Sequence, residues 1–379
     1  MLNWAHVFAE KMVSFLFELG ASGAALLVLL TASAQPSPTC PVAQGDSCRE
    51  VSFFLWTRLN PEEPQQVAAG NVSASLFNAS LPTKMIIHGY ASGMNLEQLA
   101  AIRRGEGEAY GPGEYLLEGS YNLLSPQYLD LVDSPCYLTA VINVDYVGKC
   151  IARFIRALGV PRRSPPSATP PPEDSGLSPG YHILDLHLIG FSLGGQTAAF
   201  TALNLRPEYL LDRISGLDPA LPFFTTSNKD RKLSADDAVF VDVLHTNAYV
   251  QGQAARCGQV DFYLNGGMQQ PGCSQEGFLE RFKCDHHRAP VYFAESIRSE
   301  SGFWGWACSS ISDYEMGRCP ARGTAVLAGE WVDRRSEGFY VLQTRDSAPF
   351  ARGAWWSTAT ASPGTTPVSF ADLSTVVSV

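Results

Sequence analysis

The chain has 379 residues and a formal charge of −10, with 45% hydrophobic and only 17% charged residues. Apolar content at that level buries a substantial core and excludes disorder for most of the length. The acidic balance, without any basic run, leaves no electrostatic footprint for a nucleic acid, so no nucleic-acid partner is expected.

Residues 1–34 read as an export signal: Lys11 precedes an apolar stretch over 24–30, which ends in the small-residue cleavage pattern Ala32-Ser33-Ala34. Cleavage would leave Gln35 first; Met12 is an alternative start, and residues 12–31 would make a marginal membrane span only if Glu18 were tolerated. Export puts the nine cysteines in an oxidising compartment where disulfides persist. Their spacings suggest short local loops, Cys40 to Cys48, Cys136 to Cys150, Cys273 to Cys284 and Cys308 to Cys319, with Cys257 left over; spacing alone does not fix connectivity. No Cys-x-x-Cys pair occurs, which argues against a metal site. Asn71-Val72-Ser73 and Asn78-Ala79-Ser80 match the glycan acceptor pattern of exported proteins.

Residues 51–57 and 84–88 read as strands, and a third strand begins near Tyr121, although Pro126 cannot donate to a central ladder. Apolar residues Ile151, Phe154, Ile155 and Leu158 fall at helical spacing over 150–158. Residues 161–180, rich in Pro and Ser, read as an exposed insertion. Strand and helix then alternate: strand 183–190, helix 195–205, strands 213–217 and 239–245. That rhythm predicts a mostly parallel sheet flanked by helices, within one catalytic domain over 35–354. From Trp355 the chain reads as a flexible tail of small and polar residues.

Two Gly-x-Ser-x-Gly matches occur, around Ser178 and Ser192. A nucleophile elbow must leave a buried strand, turn sharply and enter a helix whose N-terminus faces the developing negative charge. Ser178 lies in the proline-rich insertion, whereas Ser192 follows the strand 183–190 and precedes the small residues Gly194 and Gly195 of a helix. Ser192 is therefore the expected nucleophile. In this architecture an acid and then a histidine follow the serine along the chain. Asp218 ends the strand 213–217, at the carboxyl edge where a parallel sheet places its chemistry; Asp212 begins that strand at the wrong edge, and Asp242 sits mid-strand as a structural group. Three histidines follow Ser192: His245 closes a strand at the same edge, and His286 with His287 lies on a predicted loop after Cys284. Spacing does not choose between these two locations.

These residues and several ordered blocks resemble the pancreatic lipase family of secreted α/β hydrolases, most of all single-domain arthropod lipases and phospholipase A1-like members, over about 51–344. The blocks are Ile86-Ile87-His88-Gly89-Tyr90, Gly190-Phe191-Ser192-Leu193-Gly194-Gly195, Gly216-Leu217-Asp218-Pro219-Ala220, Val241-Asp242-Val243-Leu244-His245-Thr246, Asp261-Phe262-Tyr263-Leu264-Asn265-Gly266-Gly267 and Cys284-Asp285-His286-His287-Arg288. The resemblance implies an α/β-hydrolase fold, a Ser192–Asp218–His286 triad with His287 a variable neighbour and His245 a support, and an oxyanion hole from the backbone N–H groups of Tyr90 and Leu193. It implies a lid bounded by a Cys273–Cys284 disulfide, whose ten enclosed residues resemble the short lids of phospholipase A1 members. A glycerolipid at a lipid–water interface is the implied substrate, whether triacylglycerol or phospholipid at sn-1, with no cofactor. Ser234 replaces a carboxylate where some members hold calcium, so no metal is expected. A β-sandwich that binds colipase is not expected, nor is colipase dependence. A lipid-binding or storage homologue without activity, and a soluble short-chain esterase, are the competing readings.

Overall fold

Eleven short runs become the strands of one sheet: β1 Ser52–Trp56, β2 Gln65–Val67, β3 Thr83–Ile87, β4 Asn122–Gln127, β5 Leu186–Phe191, β6 Leu211–Leu217, β7 Ala238–His245, β8 Val260–Leu264, β9 Phe303–Ala307, β10 Val326–Ala328 and β11 Gly338–Leu342. Across the sheet they run β10-β9-β11-β8-β7-β6-β5-β3-β4-β1-β2. From β4 to β11 every neighbouring pair is parallel, and β1, β2, β9 and β10 add antiparallel edges. The computed structural model describes residues 40–103, 115–159, 185–274 and 277–356. The predicted export signal, the Pro-rich insertion with Ser178, and all but the first two residues of the predicted tail lie outside them.

Helices α1 Glu97–Arg103, α2 Tyr137–Ala157, α3 Leu193–Leu205 and α4 Phe278–Arg298 cover the sheet. Every residue of β3 and β5 is buried, as expected of parallel strands covered on both faces. Met85, Ile87 and Leu188 pack with Val144, Ile151 and Leu205 of α2 and α3, whereas Ile86, Ile189 and Phe191 pack with Leu99 of α1 and Phe293 of α4. Pro126 is accommodated because β3 pairs with β4 only as far as Leu124. Beside Pro126 there is only Phe53 of β1, so its missing N–H breaks no central ladder.

Two expectations need correction here. The helix predicted from Cys150 begins at Tyr137, because Val144 and Val147 extend the apolar face toward the N-terminus. That length also overturns two of the four local cysteine pairings, Cys40 with Cys48 and Cys136 with Cys150. Cys136 caps α2, and Cys150 lies 14 residues further along the same helix, about 21 Å away at 1.5 Å per residue and far beyond disulfide reach. Cys150 instead pairs with Cys48, 102 residues away, with a Cα separation of 5.5 Å. Cys136 is also engaged in a disulfide. The Cys273–Cys284 and Cys308–Cys319 bridges form as expected, and Cys257 is a buried free thiol.

After β3 the sheet continues to one side through β4, and after β5 to the other through β6. The loops leaving the carboxyl ends of β3 and β5 therefore part, and such a switch in strand order opens a crevice where α/β proteins bind their ligands.

Candidate active site

Ser192 is the single residue between β5 and α3, with φ 55° and ψ −122°. A non-glycine residue reaches that conformation only when its surroundings impose it. Here they do: Ser192 N–H donates to Leu217 O at 3.0 Å, while Ser192 O accepts from Gly195 N at 3.0 Å and Ala220 N at 3.1 Å. The glycines flanking the turn are needed for space. A Cβ on Gly194 would lie 2.2 Å from Ile87 O, and one on Gly190 would lie 2.4 Å from Gly194 O.

Asp218 follows β6, held by a 2.8 Å bond from its N–H to Leu244 O. Its Oδ1 accepts two backbone bonds, from Thr246 N at 2.9 Å and Asn247 N at 3.1 Å. Its Oδ2 lies 2.6 Å from His286 Nδ1. Both side chains are buried, so this charge-assisted bond is shielded from water. With Nδ1–H given to the carboxylate, Nε2 remains free to accept a proton. The Phe191 ring, adjacent in sequence to Ser192, packs 4.7 Å from the His286 ring. The side-chain bond of His286 runs to Asp218 and not to Ser192; catalytic hydrogen bonds in free enzymes are often long and tighten around substrate.

His286 and His287 lie inside α4, not on the predicted loop. The polar run Cys284 to Arg288 followed by Pro290 hides the helix from a sequence pattern. Pro290 removes the N–H that the His286 carbonyl would otherwise accept, and Thr246 Oγ1 approaches that carbonyl at 3.4 Å instead.

The other candidates separate on contacts. His245 uses both ring nitrogens, Nδ1 at 2.8 Å from Gln253 O and Nε2 at 2.9 Å from Asp261 Oδ1, and stacks on Tyr263. Burial, with His286 beside it, pushes His287 down to about 3, so it is neutral near pH 7. Asp242 pairs with Arg213 at 2.8 Å and accepts from Ser215, and Asp212 bonds Tyr209 at the opposite edge.

The backbone of His88-Gly89-Tyr90 lies against the elbow, since a Cβ on Gly89 would sit 2.9 Å from Ser192 Cβ and 3.3 Å from Leu193 N. His88 holds that approach. Its ring stacks 3.9 Å from Tyr128, its Nε2 accepts from Tyr128 N at 3.3 Å, and the Tyr128 hydroxyl donates to His88 O. Burial lowers His88 to about 4, which keeps the ring neutral with its proton on Nδ1, 3.1 Å from Gly89 O. Leu193 opens α3, where the first N–H groups lack intrahelical acceptors and the helix dipole is positive. Tyr90 meets Tyr137 edge-on at 4.9 Å, and Tyr137 meets Phe223 at 6.2 Å.

The Cys273–Cys284 disulfide closes a segment that runs directly into α4 and His286. Asp285, one residue beyond, accepts from Gln270 N at 2.6 Å through Oδ1, while its buried Oδ2 has no partner. Near Ser234, Asp237 accepts from Ser234 N at 2.8 Å and pairs with Arg206 at 3.2 Å, while burial pushes its carboxyl group up to about 7. Among the described residues no three His, Cys, Asp or Glu side chains are grouped to hold a metal. Sequence reasoning missed Thr246, Asn247 and Gly252 around Asp218, because main-chain donors and a space-making glycine carry no motif.

Residues 174–350 match the family model described as Lipase. The chain is similar to Pancreatic lipase-related protein 2 of Myocastor coypus, 29% identical over 331 residues, covering 79% of this chain and 64% of that protein. It is 28% identical over 336 residues to Pancreatic triacylglycerol lipase of Oryctolagus cuniculus, again 79% and 64%. Lipase member H of Rattus norvegicus is 34% identical over 196 residues, 50% of this chain and 42% of that protein. The chain thus spans somewhat under two thirds of the length of the first two relatives. A mostly parallel sheet with a strained serine turn at its carboxyl edge agrees with these matches, and together they support a likeness to the pancreatic lipase family.

Proposed function

We propose that the protein is a carboxylic ester hydrolase that cleaves acyl esters of glycerolipids, with Ser192 as nucleophile, His286 as general base and acid, and Asp218 as the group that orients it. The observation that carries this reading is the buried 2.6 Å Asp218–His286 bond beside a serine held at φ 55°. His286 Nε2 takes the Ser192 hydroxyl proton as Oγ attacks the ester carbonyl. The resulting oxyanion faces the N–H groups of Tyr90 and Leu193, the kind of donors whose loss typically costs about 10²-fold or more. Nε2 then protonates the leaving alcohol, and water attacks the acyl-enzyme by the same route.

The names of the rabbit and coypu relatives support lipid esters as substrates. The short disulfide-bounded segment supports phospholipid at sn-1 at least as strongly as triacylglycerol, because a small lid covers less of the acyl groove and leaves room for a polar head group. The disulfides and the leader pattern support secretion; no described helix is long and apolar enough to cross a membrane.

Purified protein assayed on triacylglycerol and phospholipid emulsions tests the proposal. Fatty acid release from both is expected, lowered about 10⁶-fold by Ser192→Ala. Release from triacylglycerol alone refutes the lid argument, and no release from either by folded protein favours a lipid-binding or storage role.

A further inference from the structure

We propose that the loop over residues 246–253 is a positioning device for Asp218, with Gly252 as its steric element. This rests on the hydrolase reading above and names how the orienting acid is itself held. β7 ends at His245, and the chain then folds back over the Asp218 carboxyl group. The N–H groups of Thr246 and Asn247 both bond Oδ1, which commits that oxygen and leaves Oδ2 to His286. Gly252 closes the other side. A Cβ there would lie 2.3, 2.4 and 2.5 Å from Oδ1, Cγ and Oδ2 of Asp218. Gly252 is absent from the positive-φ positions, so the need for glycine here is one of space and not of conformation.

The loop has little freedom to retreat from an added methyl group. Gly252 N–H bonds Asn247 O at 3.0 Å, Gln253 N–H bonds Pro219 O at 2.8 Å, and Leu221 N–H bonds Gln251 O at 2.8 Å. The Asn247 side chain accepts from Gln251 N at 3.2 Å and donates to Met268 O at 3.3 Å. His245 reaches Gln253 O at 2.8 Å from the far side. The carboxylate is thus the part that yields, and it carries the His286 bond with it. Thr246 adds a second tie, since its hydroxyl faces the His286 carbonyl that Pro290 leaves open.

Gly252→Ala in the wild-type and Asp218→Ala backgrounds tests this. With a soluble p-nitrophenyl ester, Gly252→Ala should lower kcat about 100-fold, as a misplacement of about 1 Å does, with KM little changed. In the Asp218→Ala background there is no carboxylate to displace, so the same substitution should leave the residual rate within about twofold, whereas an independent structural effect would add in full. An equal loss in both backgrounds, or an unchanged kcat in the wild-type background, overturns the proposal. Should Gly252→Ala alone fail to fold, the double variant is expected to fold; its failure too would overturn the proposal. Full activity in Asp218→Ala alone would instead refute the role of Asp218 in the reaction, and this inference with it.

Discussion

Ser192 and Asp218 stand in short local patterns, a glycine-flanked serine and an aspartate closing a strand, and the structure brings each to the carboxyl edge of the sheet. His286 was not legible in that way. Its place depends on the packing of α4; spacing left it level with His245, the resemblance favoured it, and contacts agree: His245 has both nitrogens occupied, His286 reaches Asp218. Asp285 illustrates what sequence alone withholds. Burial pushes its carboxyl group up to about 6, against the opposing Gln270 N–H bond and the charges of Arg281 and Arg288. An unfolded aspartate titrates near 3.9, so between about pH 4 and pH 6 the folded state binds more protons than the unfolded one. The stabilising contribution is complete below pH 4 and disappears as the pH rises through 6. Asp285→Asn should therefore flatten the change in urea midpoint across that window and gain stability relative to wild type above it; parallel curves would contradict this assignment.

The elements around the site differ in how plainly the sequence marks them, for physical reasons. β3 and β5 are continuous apolar runs, as strands buried on both faces must be. The outer strands β9, β10 and β11, by contrast, are short and partly exposed and passed without a signal. Helix α4 shows no helical pattern around His286 and His287 in the sequence because its first half is polar and Pro290 interrupts it, yet its apolar residues Ala289, Phe293 and Ile297 face the core. The junction of β3 with α3 depends on Gly194, whose Cβ position falls 2.2 Å from Ile87 O and 2.6 Å from His88 O. Backbone on both sides cannot give way as a side chain would. Gly194→Ala should cost about 2–3 kcal/mol as an overpacking substitution. Gly70→Ala, where nothing lies within 4 Å, should leave the urea midpoint near that of wild type; equal midpoints for the two variants would contradict the close approach.

Across the whole molecule, contacts far apart in sequence fix what local patterns leave undetermined. The Cys48–Cys150 bridge spans 102 residues. At the edge of the sheet opposite Ser192, Lys84 of β3 pairs with Glu330 at 2.8 Å, and Arg213 of β6 reaches the same carboxyl group at 3.4 Å. Burial acts to raise the Glu330 carboxyl group, but Lys84, Arg213 and a Tyr115 hydrogen bond hold it below its ordinary value. Lys84 read only as the start of a strand, and nothing near it in sequence indicates a buried partner 246 residues away. Glu330→Gln leaves the Lys84 charge uncompensated and should destabilise the fold by about 3 kcal/mol in urea unfolding. A loss within about 0.5 kcal/mol, ordinary for a surface site, would contradict the burial of that pair. Activity should survive at temperatures where the variant stays folded, since the pair lies away from Ser192. The central claim concerns Ser192 itself, and covalent labelling with a serine-reactive phosphonate tests it most directly. The account predicts one adduct per folded chain, located on Ser192 by peptide mass, lost in Ser192→Ala and slowed in His286→Ala. Folded protein that takes no adduct, or takes it on another residue, would contradict the account.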